Sequence, residues 1–247
     1  MVFDTVTIIA ILVAFALGGI LKGATGAGAP VVTIPVIAAF YDVRIAVIIM
    51  VVPNLLTNIG QLYQFRKTIL PSFFTVSFAL GGGIGAFIGT ILLANLSIKI
   101  LTLSVAFIVI IYILLKLIVP SWKLIYEKAA KLVFIMGTAG GVLQGAAGLS
   151  APISITFLNA MKLDRNQFIP TISVYFGVMS IFQMPTLYYY DFLNFEIILA
   201  SLISTVVLLS FMPLGSWVAK SVSKENFDKI TLILLAFIAL RIIYLNL

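Results

Sequence analysis

The chain has 247 residues, of which 62% are hydrophobic and only 9% are charged. A soluble domain carries roughly 25% charged residues, so this composition excludes a water-soluble globular protein and predicts a membrane protein. Cysteine and histidine are absent, which excludes disulfides, thiolate catalysis, zinc sites built on these residues and a histidine general base. We therefore expect no metal, cofactor or catalytic residue.

Apolar stretches recur along the chain and predict one all-α polytopic membrane domain, residues 1–247. A spanning helix needs about 20 mostly apolar residues. The stretches Thr5–Phe40 and Leu132–Met161 are each too long for one span and too short for two. The remaining stretches are predicted as six full spans, in chain order Arg44–Phe65, Leu70–Leu93, Lys99–Val119, Asn166–Tyr190, Phe195–Ala219 and Lys229–Leu245.

Each of the two long stretches is interrupted by a glycine-rich run that ends in proline, KGATGAGAP (Lys22–Pro30) and QGAAGLSAP (Gln144–Pro152). Glycine permits positive φ, and proline favours the first turn of a helix. Each stretch is therefore predicted to be a helical hairpin with its tip inside the membrane. The second helices are expected to begin near Ala29 and Ala151. The sequence leaves open whether the arms span the membrane fully or re-enter it.

Basic residues predict the orientation in the membrane. If each hairpin returns to its starting side and the loop Lys123–Lys131 is cytoplasmic, eleven basic residues lie on the cytoplasmic side and three on the other. The eleven are Arg66, Lys67, Lys116, Lys123, Lys128, Lys131, Lys162, Arg165, Lys220, Lys224 and Lys229, and the three are Arg44, Lys99 and Arg241. Cytoplasmic loops are enriched in Lys and Arg, so both termini are predicted outside. The same bias accounts for the net charge of +7 without a nucleic-acid partner.

The two glycine runs belong to an internal repeat. GGILKGATGAGAP (Gly18–Pro30) aligns without gaps to GGVLQGAAGLSAP (Gly140–Pro152), 122 residues later, and eight of 13 positions are identical. The same spacing pairs two further sets of residues, Asp42 with Asp164 and Gln61 with Gln183. These matches predict a duplication with repeats at about 5–122 and 127–247.

The predicted repeats have opposite orientations in the membrane. Each contains one hairpin, which adds no net crossing, and three spans, so each crosses an odd number of times. Such an inverted repeat is typical of secondary transporters, whose substrate sites lie at interrupted helices near the middle of the membrane.

The duplicated glycine motif, together with the segment VPNLLTNIGQLYQF (Val52–Phe65), resembles the TauE/SafE family of sulfite and sulfonate transporters. The resemblance extends over essentially the whole chain in length and layout. It implies secondary transport of a small anion, either sulfite or an organosulfonate or related organosulfur anion, across the plasma (inner) membrane of a prokaryote. The chain departs from the usual motif at Ala27, Ala29 and Leu149–Ala151, which bears on the substrate more than on the fold.

The hairpin tips are the first candidate anion site. A helix N-terminus carries roughly half a positive charge and unpaired N–H groups, so it attracts anions. Backbone amides and hydroxyls at the two tips are predicted to donate hydrogen bonds to the substrate, from Thr25, Gly26, Gly28, Gly148 and Ser150. The alternative is that these glycines serve only close helix packing, which is also the role predicted for the glycines within Gly81–Gly89.

Lys22 is the charge predicted to lie deepest in the membrane, at the first hairpin tip, and Gln144 occupies the equivalent position in the second repeat. An isolated Lys at the centre of a bilayer costs at least ~2.5–3.5 kcal/mol, so such residues are usually functional. Lys22 is predicted to be a counter-charge for the substrate, and Gln144 is included in the predicted site. The alternative is that Lys22 extends to a membrane surface.

The span Arg44–Phe65 carries a polar stripe at helical spacing, formed by Asn54, Thr57, Asn58 and Gln61. A lipid-facing stripe of this kind would be costly, so it is predicted to face the protein interior. The equivalent residues of the second repeat are less polar, namely Phe176, Met179, Ser180 and Gln183. Asn54, Asn58, Gln61 and Gln183 are predicted to contact substrate, with interhelical hydrogen bonding as the alternative.

An anion channel and a membrane assembly factor without a transported substrate are the alternatives to a carrier. An intramembrane enzyme is disfavoured, because no carboxylate lies in the middle of a predicted span and His and Cys are missing. The expected partners are therefore the lipid bilayer, a small anion and a coupling ion, for which H⁺ and Na⁺ are both candidates. The oligomeric state is not indicated by the sequence.

Overall fold

The computed structural model describes residues 5–118, 122–221 and 224–246, and this part of the chain is helical without strands. Its helices are α1 (Thr5–Thr25), α2 (Ala29–Phe40), α3 (Val43–Phe65), α4 (Ser72–Asn95), α5 (Ile98–Ile118), α6 (Tyr126–Ala147), α7 (Ser154–Ala160), α8 (Arg165–Tyr189), α9 (Phe195–Ser221) and α10 (Lys224–Asn246). A short 3-10 helix, Arg66–Thr68, extends α3. The predicted end of the third full span, Val119, lies outside the described residues.

Seven of the described helices are long and apolar enough to cross a membrane, namely α1, α3, α4, α5, α6, α8 and α9. Large apolar side chains such as Phe107 and Phe195 are exposed on the outer surface of the helix bundle. A surface of this kind is stable in lipid rather than in water. The prediction of an all-α polytopic membrane protein is confirmed.

Both glycine runs form turns between a long helix and a short one. The first arms, α1 and α6, have 21 and 22 residues, whereas the second arms, α2 and α7, have 12 and 7 residues. At 1.5 Å per residue the first arms are about 31–33 Å long and the second arms about 18 and 10 Å. The first arms therefore have the length of a span, and the second arms are too short to cross a bilayer core of about 30 Å.

The second hairpin differs from the prediction at both ends. Helix α6 begins at Tyr126, earlier than the predicted Leu132, because the charged turn Glu127–Lys131 is helical although it is not apolar. Helix α7 begins at Ser154 and not near Ala151, so the expected start of this helix is wrong. The amide of Ser150 is taken by the Gln144 side chain, and a turn with an Ile153 N–H to Ser150 carbonyl bond precedes the helix.

Helices α3 and α8 begin with the same cap in the two halves. Asp42 accepts a hydrogen bond from the Arg44 amide at 2.7 Å, and Asp164 accepts one from the Gln167 amide at 2.8 Å. An N-cap carboxylate satisfies a free amide in the first turn of a helix, which fixes where that helix begins. The equivalent aspartates therefore start equivalent helices.

Each half packs its glycine-rich hairpin against the other half's fourth helix. Helix α1 lies along α9, and α6 lies along α4. A Cβ atom at Gly85 would lie 2.1 Å from the Thr138 carbonyl oxygen, and one at Gly215 would lie 2.0 Å from the Ile20 carbonyl oxygen. These backbones approach so closely that only glycine fits. The predicted packing role of the α4 glycines is confirmed.

The contacts of the two helix pairs repeat in register. On α1, a Cβ atom at Gly19 would clash with the Leu208 carbonyl of α9, and a Cβ atom at Gly23 would clash with the Met212 carbonyl. The equivalent glycines of α6 make the same approach to α4, Gly141 at Gly82 and Gly145 at Ala86. The two hairpins are thus held in the same way, each by a helix of the opposite half.

Helices α3 and α8 cross the centre of the molecule side by side. Gln61 of α3 is bonded to Ser173 of α8, and Asn54 is bonded to Ser180. Residue numbers fall along one helix as they rise along the other, so the two helices are antiparallel. Equivalent helices that run in opposite directions agree with the predicted inversion, although the placement of the halves across a membrane and the repeat boundaries stay predictions.

Candidate functional site

A cavity of about 340 Å³ lies at the tip of the first hairpin. Its wall is formed by the last turn of α1 and the start of α2, by the C-terminal ends of α5 and α9, by the start of α8, and by α7 and α10. Two predicted site residues, Thr25 and Gly28, contribute to its wall. Gly28 has a φ of 93°, a left-handed conformation that glycine adopts without strain, and it directs the chain into α2. The N-terminus of α2 therefore borders the cavity.

Two basic residues border the same cavity. Lys116 lies in the last turn of α5, and Arg165 is the first residue of α8. The Arg165 guanidinium donates to the Ala24 carbonyl at 2.6 Å and to the Gly23 carbonyl at 3.0 Å. These are free carbonyls at the C-terminal end of α1, so Arg165 both caps that helix and places positive charge at the hairpin tip.

Sequence reasoning missed Arg165 as a site residue and used it only for orientation. Its position directly after the N-cap Asp164 was the available signal, because the start of α8 had to lie near one membrane boundary. What the sequence does not reveal is that the first hairpin tip lies beside the start of α8. Ser216 of α9 also contacts this tip, donating to the Gly23 carbonyl at 3.1 Å.

Most backbone amides predicted to face an anion bond within the hairpins instead. The Gly26 amide donates to the Lys22 carbonyl at 2.7 Å, and the Gly148 amide donates to the Gln144 carbonyl at 2.8 Å. The Ser150 amide donates to Gln144 Oε1 at 3.3 Å. In this conformation these three amides stabilise the turns and do not point donors into a cavity.

The two tip glycines pack against the opposite half. A Cβ atom at Gly26 would lie 2.3 Å from Ile169 of α8, and one at Gly148 would lie 3.1 Å from Val47 of α3. Ile169 and Val47 are equivalent in the repeat, so both tips dock in the same manner. These contacts agree with the packing alternative for Gly26 and Gly148, and their contact with substrate stays a prediction.

Lys22 lies in the protein core, with 1% of its side chain exposed. Its Nζ donates to Asn58 Oδ1 at 2.9 Å, so the side chain does not extend to a membrane surface. Asn58 Nδ2 donates to Asn54 Oδ1 at 3.0 Å, and Asn54 Nδ2 donates to Ser180 Oγ at 3.2 Å. This hydrogen-bond chain joins α1, α3 and α8. Within the described residues, the Lys22 ammonium has only the neutral Asn58 as a side-chain partner.

The polar stripe of α3 faces the interior, as predicted. Asn54, Thr57, Asn58 and Gln61 are all buried, with at most 6% exposed. Gln61 Oε1 accepts a hydrogen bond from Ser173 Oγ at 3.5 Å. The hydrogen bonds of Asn54, Asn58 and Gln61 agree with the alternative of interhelical bonding, and their contact with substrate stays a prediction.

The predicted site residues fall into separate groups. Thr25 and Gly28 line the cavity, whereas Lys22, Asn58 and Asn54 form the buried chain beside it. A third group lies at the second hairpin tip, formed by Gln144, Gly148 and Ser150. Gln183 lies on α8, with 1% of its side chain exposed. The structure therefore does not bring all of the predicted residues into one cavity. Across the described residues there is no group of three or more His, Cys, Asp or Glu side chains placed to hold a metal ion.

A protein-family model described as Sulfite exporter TauE/SafE matches residues 10–242. The chain belongs to the TauE/SafE family. As a member of this family it is a multi-pass membrane transporter of small anions, which confirms the resemblance seen in its glycine motifs. Searches of curated proteins and of solved structures gave no match.

Proposed function

We propose that this TauE/SafE protein is a secondary transporter of sulfite or a related organosulfonate or organosulfur anion in the plasma membrane of a prokaryote. The cavity at the first hairpin tip is its entrance on the side predicted to be cytoplasmic. The anion then passes Lys22, which is the positive charge inside the bundle. The transport is coupled to H⁺ or Na⁺, proceeds by exchange, or is driven by the substrate gradient alone.

The positive surroundings of the cavity are the observation that carries this proposal. The N-terminus of α2, Arg165 and Lys116 border one cavity of about 340 Å³. A helix N-terminus and the positive charge of a guanidinium both favour an anion nearby. A sulfite or sulfonate group offers three acceptor oxygens, which suits several donors around one small cavity.

The burial of Lys22 supports the second step. An ammonium has three N–H donors, and one of them bonds to Asn58. A buried ammonium with a neutral partner is costly, and an anion beside it would supply the missing negative charge. The antiparallel pairing of α3 and α8 supports alternating access, because it is the arrangement expected of halves inserted in opposite directions.

Transport by purified protein in proteoliposomes tests the proposed function. We expect saturable uptake of sulfite or methanesulfonate, with weaker uptake of a neutral solute of similar size. Arg165→Gln removes the charge at the cavity and is expected to raise KM about tenfold or more, because hydrogen bonds to charged groups contribute about 1.5–3 kcal/mol. Lys67→Gln, an exposed charge outside the cavity, is the matched control.

Two outcomes would contradict the proposal. Flux of these anions that never saturates, with conductance proportional to concentration, would favour the channel. Absence of flux for every sulfur oxyanion from a folded, reconstituted protein would favour an assembly factor without a substrate.

A further inference from the structure

Two buried polar side chains of α8 have atoms without a partner. Gln183 is 1% exposed and Thr186 is 5% exposed. Gln183 Nε2 and Thr186 Oγ1 make no hydrogen bond within the described part of the chain. Three residues apart on a helix, the two side chains lie on neighbouring positions of one face. Buried polar groups are nearly always paired, so two exceptions in adjacent turns require an explanation.

The repeat shows a polar neighbour that Gln183 lacks. In the first half, Gln61 faces Ser173, whose hydroxyl donates to Gln61 Oε1 at 3.5 Å. Exchanging the two halves replaces Gln61 by Gln183 and Ser173 by Val51. The register of α3 against α8 also places Val51 opposite Gln183, since Asn54 pairs with Ser180. An apolar side chain therefore stands where the other half has a hydroxyl.

The second hairpin tip lies at the same level. A Cβ atom at Gly148 would lie 3.1 Å from Val47, which is one helical turn from Val51 on α3. At this tip, Gln144 Oε1 accepts a hydrogen bond from the Ser150 amide, so both groups are already paired with each other. The cavity lies beside the first hairpin tip. The cavity and the pair Gln183 and Thr186 therefore lie toward opposite ends of the α3–α8 pair.

We propose that Gln183 and Thr186 form a second subsite for the transported oxyanion, at the second hairpin. This inference rests on the proposed function. The Gln183 amide and the Thr186 hydroxyl supply N–H and O–H donors, which suit the acceptor oxygens of a sulfur oxyanion. The anion occupies the cavity at the first hairpin and this subsite in turn, and Val51 offers the Gln183 amide no hydrogen-bond partner.

Binding of sulfite and methanesulfonate to the purified full chain, measured by titration calorimetry, tests the subsite. Gln183→Leu and Thr186→Val should each lower affinity about tenfold, because each removes one hydrogen bond to a charged ligand. Val51→Ser should also lower affinity, because it places opposite Gln183 a hydroxyl oxygen that can accept a hydrogen bond from Gln183 Nε2. Val105→Ser, an equally buried change on α5, is the control and should leave affinity within twofold of wild type.

The subsite and the proposed function fail in different ways. If wild-type protein binds neither anion, the proposed function is wrong. If wild type binds but Gln183→Leu and Val51→Ser raise thermal stability and keep affinity within twofold, the unpaired amide is a packing defect and the subsite is wrong. A stabilisation by Na⁺ over K⁺ without anion, lost in Gln183→Leu and Thr186→Val, would replace the anion assignment with a cation site.

Discussion

Lys22 is the single residue on which the proposed transport path depends most. Its ammonium is buried and bonded to the neutral Asn58. Lys22→Gln copies the second repeat, preserves a hydrogen-bonding side chain and removes the charge. We expect it to weaken sulfite binding about ten- to a hundredfold, because a charge-assisted hydrogen bond contributes about 1.5–3 kcal/mol. Titration calorimetry on purified, monodisperse protein measures the change.

Two further variants separate charge from geometry at this position. Lys22→Arg keeps the charge but changes its shape, so it should retain part of the affinity. Lys99→Gln removes an exposed lysine at the start of α5 and should change nothing. An affinity for Lys22→Gln within twofold of wild type would remove Lys22 from the substrate path.

The environment of a single residue can be predicted from the sequence where one local rule, such as helical spacing, decides it. The burial of the α3 stripe followed from helical spacing, and Lys22 is buried in the protein interior, whereas its depth in the membrane stays a prediction. Their partners did not follow, since the bond between Asn54 and Ser180 depends on how two distant helices cross. Arg165 and Thr186 were missed for the same reason, because their roles arise only from the tertiary contacts of α8 with α1 and α3.

At the scale of helices, glycine controls how closely α4 and α6 approach. Gly85→Ala would place a Cβ atom 2.1 Å from the Thr138 carbonyl oxygen, so the helices must separate. We expect a loss of about 1–3 kcal/mol of stability, the usual cost of overpacking. Thermal unfolding in detergent, followed by circular dichroism, measures it.

Two glycines elsewhere in long helices provide the matched controls. Gly60 in α3 and Gly177 in α8 have nothing within 4 Å of an added Cβ atom. Gly60→Ala and Gly177→Ala should therefore leave stability unchanged or raise it by about 0.5–1 kcal/mol, since alanine favours a helix. Equal effects of all three substitutions would show that Gly85 does not mark a close contact.

Helix boundaries were predicted well where an apolar run and a cap coincide. Helices α3 and α8 begin at their aspartate caps, and α2 begins at the predicted Ala29. The start of α7 was not predicted. The hydrogen bond from the Ser150 amide to the Gln144 side chain stabilises a turn that continues past Pro152, where the helix was expected to begin. Apolar length alone also cannot show that Glu127–Lys131 is helical, since charged residues are good helix formers as well.

For the whole molecule, the sequence predicts which hairpins and long helices are present, but not which helices pack against each other. The apolar content and the lengths of the apolar stretches predict a polytopic membrane protein, and the duplicated motif predicts two hairpins, each followed by long helices. The packing of each hairpin on the opposite half did not follow from the sequence, because it joins helices that are far apart along the chain. Only the matched close approaches of α1 with α9 and of α6 with α4 identify the partners.

The topology of the whole molecule is the last prediction, and the basic residues are its source. The chain has no native cysteine, so single cysteines can be introduced without background labelling. Asn194 and Lys123 are exposed in loops on opposite predicted sides. In intact cells an impermeant maleimide should label Asn194→Cys, whereas Lys123→Cys should react only after permeabilisation. Since positive charge is retained on the cytoplasmic side, the reverse pattern would overturn the orientation, and labelling of both sites from one side would overturn the crossing of α8.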